Sequence, residues 1–272
     1  MSFRNNSGDI LKRFGAYRIA SAHSNAAFKI PFEDTYLFLK VYGPKYPRIP
    51  YEIRKFLNTM GMRQPVEYRS PRNRKIYEEE TLAHWGNLRY FVPIITENPF
   101  AEFEGLSTLT TTFIEGVTLR EMIHDERMAW PAKEGKLATL FTEVSLRHNH
   151  AFETGDVRLF HVDANSRNIM FAGDAVCHCD FEMGRPWEPA LQSAAREILK
   201  MMISIADDGA PKRRGAIFDL FRSCYREGAV YDHIRKEISG RSFQGLHRYR
   251  DKRKKEREPG KTTLYDILAY LF

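Results

Sequence analysis

"FHVDANSRNIMFAGDAVCHCDFEMGRP", residues 160–186, carries two aspartates, Asp163 and Asp180, with Asn168 between them. The apolar runs "RNIMF" and "AVCHCD" read as two short strands that pair through the turn "AGDA". That hairpin brings Asn168 and Asp180 to one end, with Asp163 on the loop before it. Carboxylate and amide oxygens are the ligands that a hard cation such as Mg²⁺ prefers. Phosphoryl transfer needs a charge to hold phosphates, oxygen ligands for magnesium and a carboxylate near the attacking hydroxyl. Asp163, Asn168 and Asp180 supply the last two. The triplet Cys177-His178-Cys179 has no second ligand pair to complete a metal site.

Upstream, residues 15–42 predict three short strands, "AYRIAS", "AAFKIPF" and "TYLFLKVY". The third is apolar on both faces except for Lys40, and a lysine buried there needs an anion to receive it. Residues 72–87 predict a helix, with Ile76, Leu82 and Trp85 on its apolar stripe and Gly86-Asn87 as its stop. "FVPII" and "LSTLTTTFI" read as strands, and "EGVTLREMI" as a turn entering a helix. Residues 133–152, "SAAREILKMMISIA", "AIFDLFRSCYREG" and "TTLYDILAYLF" read as helices. A strand-rich part, residues 1–115, therefore precedes a helix-rich part, residues 116–272, with a hinge at "FIEGVT" where Gly116 interrupts two regular elements.

The 272 residues are 43% hydrophobic and 28% charged, with no apolar run near the roughly 18–20 residues that span a bilayer. The start, "MSFRNNSGDILKRFG", lacks the apolar core of a signal peptide. These features predict a cytoplasmic protein. Three cysteines do not make a disulfide framework. The net charge of +7 concentrates in residues 45–75 and 247–257 and favours an anionic partner. No zinc-finger or helix-turn-helix spacing is present, so nucleic acid is not expected.

Together these residues resemble the protein-kinase-like fold. "HVDANSRN" is similar to the catalytic loop H-x-D-x-x-x-x-N, "DFE" to the metal-binding triplet with Glu182 in place of glycine, and "FLKVY" to the strand of the phosphate lysine. The closer resemblance is to the bacterial lipopolysaccharide kinases, especially the Kdo kinase branch, with its D-L-N-A-H-N-I-L loop and following D-F-D-K-G-R. This chain has "DANSRNIM" and "DFEMGRP", so Asn165, Asn168, Ile169, Gly184 and Arg185 align. The resemblance implies an α+β, two-lobed fold with a small antiparallel-sheet N-terminal lobe and a mainly helical C-terminal lobe. It implies ATP and Mg²⁺ as cofactors, Asp163 as the catalytic carboxylate, Asn168 and Asp180 as metal ligands, and Lys40 held by Glu78 on the phosphates.

The first hairpin, "ASAHSNAAF", has no glycine-rich loop; Ser21 and Ser24 are its candidate phosphate contacts. His161 and the Arg196/Glu197 pair are expected to brace the fold, Arg167 and Arg185 to meet an anionic acceptor or the phosphates, and Glu182 to reach a second metal or hold a loop. "MGRPWEPALQSAAREIL" leaves little room for a peptide-docking segment, which favours a sugar or glycolipid acceptor at the inner face of the membrane, with the basic segments against anionic lipid. A protein serine/threonine kinase and a catalytically silent pseudokinase or scaffold are the alternatives.

Overall fold

The structure, a computed structural model, describes residues 14–22, 25–43, 70–103, 105–184, 188–209, 211–239, 256 and 262–272. Its described part divides into two compact units. One takes the residues up to Glu115 together with 181–183; the other takes Gly116–Asp180 and the residues from Gly184 on.

The first unit is built on a four-stranded antiparallel sheet in the order β1-β2-β3-β4, from Arg18–Ala22, Asn25–Phe32, Thr35–Tyr42 and Thr108–Thr112. Alternation along β3 explains its two apolar faces. Leu39 points into an aromatic core with Phe14, Phe28, Ile30 and Phe103, whereas Lys40 and Tyr42 are buried on the other side. "FVPII" does not form the expected strand. Pro93 has no N–H to give a ladder, and the segment keeps one bridge, Ile95 to Thr111, flanked by hydrogen bonds from Thr112 N–H to Ile94 O and from Thr96 N–H to Thr110 O.

Helix α1, Pro71–Asn87, starts at Ser70, whose hydroxyl accepts the Asn73 N–H, and has proline in its first turn. It ends at Asn87, at the expected stop Gly86-Asn87. Arg89 lies in the left-handed region (φ 65°), and Tyr90 N–H and Arg89 N–H cap the carbonyls of Trp85 and Gly86. Its buried stripe is Arg74, Glu78, Thr81, Leu82 and Trp85, while Ile76 is exposed. Leu82 and Trp85 lie on the stripe as expected, while Ile76 does not, and the charged Arg74 takes a place that an apolar reading passes over.

The second unit begins with β5, Val117–Thr118, which pairs with the hairpin β6–β7, Ile169–Ala172 and Ala175–His178. Gly116 is required by close approach rather than by conformation: a Cβ there would lie 2.4 Å from Phe171 O. The helices are α2 (Leu119–His124), α3 (Trp130–Thr154), α4 (Ala190–Asp208), α5 (Arg214–Cys224), α6 (Gly228–Ser239) and α7 (Leu264–Leu271). α2 opens on a reciprocal cap between Thr118 and Glu121. α3 closes at Gly155 in the left-handed region, and the apolar Leu146 on it faces outward. α6 was not foreseen. The expected α+β arrangement, an N-terminal antiparallel sheet before a mainly helical C-terminal region, is the one observed. Among the described residues no helix is long and apolar enough to cross a membrane.

Candidate active site

In the first unit, the burial of Lys40 is answered from α1. Its Nζ donates to Glu78 Oε2 at 2.7 Å, and the Tyr42 hydroxyl donates to the same oxygen at 2.5 Å. The choice of Glu78 over its neighbours follows from the stripe: Glu79 pairs instead with Lys75 at the surface. One turn before Glu78, Arg74 donates to Glu182 Oε2 at 3.0 Å and to Asn25 Oδ1 at 2.9 Å, and Asn25 donates to Glu182 Oε2 at 2.6 Å. Lys40 Nζ lies 3.6 Å from that same Glu182 oxygen. Two cations and two carboxylates are thus buried together, so the desolvation cost of each is offset by an opposite charge. Glu182, where the resembling motif has glycine, belongs to this cluster and ties β2 to α1. Ser21 sits on β1 opposite Ala26; Ser24 and Arg185 lie outside the described residues, as does most of both basic segments.

In the second unit, the loop from His161 to Asn168 carries the other candidates. The Asn168 amide nitrogen donates to Asp163 O at 3.0 Å and to Asp163 Oδ2 at 3.1 Å. Asn165 turns the chain between them: its Nδ2 donates to Asp163 O, and its Oδ1 accepts the Arg167 N–H at 2.9 Å. Cys179 N–H donates to Asn168 O at 3.0 Å, so Asn168 and Asp180 stand at the open end of the β6–β7 hairpin, as the turn "AGDA" required. Asp180 is half-buried and has φ 65°, a left-handed conformation that is uncommon for a residue other than glycine.

Helix α4 shapes this loop from one stripe of side chains. Glu197 Oε2 accepts the His161 N–H at 2.7 Å, Lys200 pairs with Asp163 Oδ1, Ser204 Oγ accepts the Ser166 N–H at 3.0 Å, and Asp208 accepts the Ser166 hydroxyl. The spacings of three, four and four residues keep all four on one helix face.

Beneath the loop lies a buried polar network. Glu197 also accepts from Arg147 at 2.6 Å and from His148 Nε2 at 3.0 Å, and the Tyr225 hydroxyl meets His148 Nδ1 at 2.9 Å. Glu143 accepts from Arg147 Nε and from His178 Nε2, each at 2.9 Å. Burial alone would raise the Glu143 carboxyl, but Arg147 and His178 outweigh it and bring it down to about 2. Glu197 is held far below the usual range by the same balance, with Arg147 and His148 against burial. Burial, and then His178, lower His161 to about 4, so it is neutral and its Nε2–H donates to Cys179 O at 3.0 Å. His161 therefore ties the loop to the end of β7, one residue before Asp180. Arg196 and Glu197 do not pair with each other: Arg196 turns to Glu188 and Glu197 to Arg147. Burial pushes the Cys177 thiol up to about 12, a neutral core side chain.

No family model and no curated protein matches the chain. Solved structures do. A structure of WaaP in complex with acyl carrier protein is 12% identical over 94% of this chain and 95% of that one, with a TM-score of 0.48. The Mycobacterium tuberculosis PknI kinase domain, in its C20A mutant, is 14% identical over 78% and 87%, with a TM-score of 0.43. The Rio2 kinase–ADP/Mg²⁺–phosphoaspartate complex from Chaetomium thermophilum is 15% identical over 88% and 70%, with a TM-score of 0.44. At these scores and identities the likenesses transfer no residue's role.

The geometry thus joins Lys40 to Glu78 within one unit, and Asp163 to Asn168 within the other. Arg74, Asn25, Lys200, Ser204 and Asp208 were missed as partners of these residues. Arg74 stands four residues before Glu78 in one helix, and Lys200, Ser204 and Asp208 repeat at helical spacing from Glu197; that periodicity of polar residues was the available signal.

Proposed function

We propose that the protein is an ATP-dependent phosphotransferase of the protein-kinase-like kind, acting on an alcohol. The observation that carries the reading is the Lys40–Glu78 ion pair, buried at 6% and 4% exposure. Burying a lysine in an apolar strand is costly, and a glutamate that fixes its direction prepares the ammonium for phosphate oxygens. The other parts required by phosphoryl transfer come from the second unit. Asp163 accepts the proton of the acceptor hydroxyl. Each of its oxygens has two lone pairs, so bonds to Asn168 and Lys200 leave room for that hydroxyl. The donor set fits Mg²⁺: the nitrogen of the Asn168 amide faces Asp163, which turns Oδ1 away from that carboxylate, and Asp180 adds a second hard oxygen ligand. Bound there, magnesium would neutralise phosphate charge.

The resemblance of "DANSRNIM" and "DFEMGRP" to the lipopolysaccharide kinases supports a sugar hydroxyl of a lipopolysaccharide core, or a related small molecule, as acceptor, with a peripheral place at the inner membrane face. The test is calorimetric binding of ATP with and without Mg²⁺, followed by a transfer screen against core sugars, glycolipids and generic proteins. Magnesium-dependent binding with transfer to a sugar is expected. Transfer to protein instead would make it a protein kinase, and absence of nucleotide binding would leave a silent scaffold.

A further inference from the structure

We infer that Lys200, on α4, is a positioning residue that fixes the carboxylate of Asp163 for phosphoryl transfer; the inference rests on the phosphotransferase reading and extends it. The two oxygens of Asp163 are engaged from different sides. Oδ2 accepts from Asn168 Nδ2 at 3.1 Å, and Oδ1 is paired with the Lys200 ammonium. A single hydrogen bond to Oδ2 leaves the carboxylate free to rotate about its own Cβ–Cγ bond. A second partner on Oδ1 removes that freedom and sets which lone pairs face outward.

A surface ion pair with no further role is the plain alternative, and the side chains are 42% and 20% exposed, which would make such a pair weak. The position of Lys200 in the fold argues against it. Glu197, Ser204 and Asp208, the other members of its stripe, all hold the same loop, and Lys200 is the member that reaches the carboxylate itself rather than backbone or hydroxyl. Asn165, two residues after Asp163, uses its amide within the turn, and the cation on the Asp163 carboxylate comes from α4.

In the step concerned, a bond forms between the acceptor oxygen and the γ-phosphorus. The bond from that phosphorus to the bridging oxygen breaks, its electron pair leaves on ADP, and the acceptor's proton passes to Asp163. A carboxylate held by two partners meets that proton in one orientation. Misplacing a reacting group by about 1 Å can cost on the order of 10²-fold.

The experiment uses the full chain with Mg·ATP and water as the acceptor, reading ADP release. Lys200→Ala should lower kcat by about 10–100-fold while leaving the KM for Mg·ATP within about twofold and the melting temperature unchanged. Lys200→Arg, which keeps a cation, should restore most of the rate. The loss from Lys200→Ala should vanish in an Asp163→Asn background, because a residue acting through Asp163 is not additive with it. An active parent whose kcat is untouched by Lys200→Ala overturns the inference alone. So does an equal loss in both backgrounds, which would mean that Lys200 acts without Asp163. A parent with no ADP release on water or on any acceptor of the transfer screen overturns the phosphotransferase reading and this inference together.

Discussion

Glu197 accepts the backbone N–H of His161 at 2.7 Å while its carboxylate is held by Arg147 and His148. A buried acid on one helix thereby fixes the first residue of a loop 36 positions earlier. The loop's geometry is set by the helical unit's core as well as by its own Asn165 and Asn168.

The two aspartates should separate by measurement. Asp180→Ala should weaken Mg²⁺-dependent ATP binding and transfer together. Asp163→Asn should leave binding nearly intact and reduce transfer by about 10²–10⁴-fold, the usual range for general-base assistance. Calorimetry and a transfer assay on both variants decide it; full transfer by Asp163→Asn would reduce Asp163 to a turn residue.

Breaking the buried pair in the first unit should be costly. Lys40→Met removes the ammonium from Glu78 and should destabilise the fold by about 3–5 kcal/mol. The double change Lys40→Met with Glu78→Gln should recover much of that stability without recovering ATP binding. Urea unfolding of the single and double variants measures the difference, and equal stability in both would remove the pair's structural weight.

Acid should destabilise the second unit in two stages. His161 is neutral when folded and lowered to about 4 by burial. Below pH 6.5 the unfolded chain gains a proton that the folded chain refuses until about pH 4, so stability falls through that window by about 3 kcal/mol. His148, also lowered by burial, adds to the same trend. Glu143, brought down to about 2 by Arg147 and His178 against burial, contributes above its ordinary value of 4.5 and loses that contribution as pH falls toward 2. His161→Asn should flatten the upper stage and Glu143→Gln the lower. Urea unfolding across pH 3–8 tests both; an unaltered slope in either variant refutes its assignment.

Much of this was legible in the sequence. Lys40 stood out because β3 was otherwise apolar, and the hairpin was marked by a turn between two short apolar runs. The buried stripe of α1 was legible at Glu78, Leu82 and Trp85, but Ile76 was counted in and Arg74 left out, because a charged residue does not register as core until its partner is known. Arg74 and Lys200 were overlooked for a related reason. Their helical spacing from Glu78 and Glu197 marks the face they share, but each pairs with a residue 108 or 37 positions away, and spacing along one helix does not name so distant a partner. "FVPII" failed as a strand because one proline outweighed four β-formers.

Gly116→Ala should cost about 1–3 kcal/mol, as overpacking does, since the added carbon would press on Phe171 O. Thermal unfolding of that variant checks it; no loss would mean that β5 can shift against β6 freely.

The single stripe on α4 has a consequence for how this gene can vary. Each residue of a helix advances the face by about 100°. One codon added or removed between Glu197 and Asp208 would leave a serviceable helix, yet it would turn every side chain beyond that point away from the loop. Substitutions on the outer face of α4 are tolerable in this arrangement, whereas a change of length within it is not. Length variation in this region should therefore fall before Ala190 or after Asp208, where a loop can absorb it without moving Lys200 off Asp163.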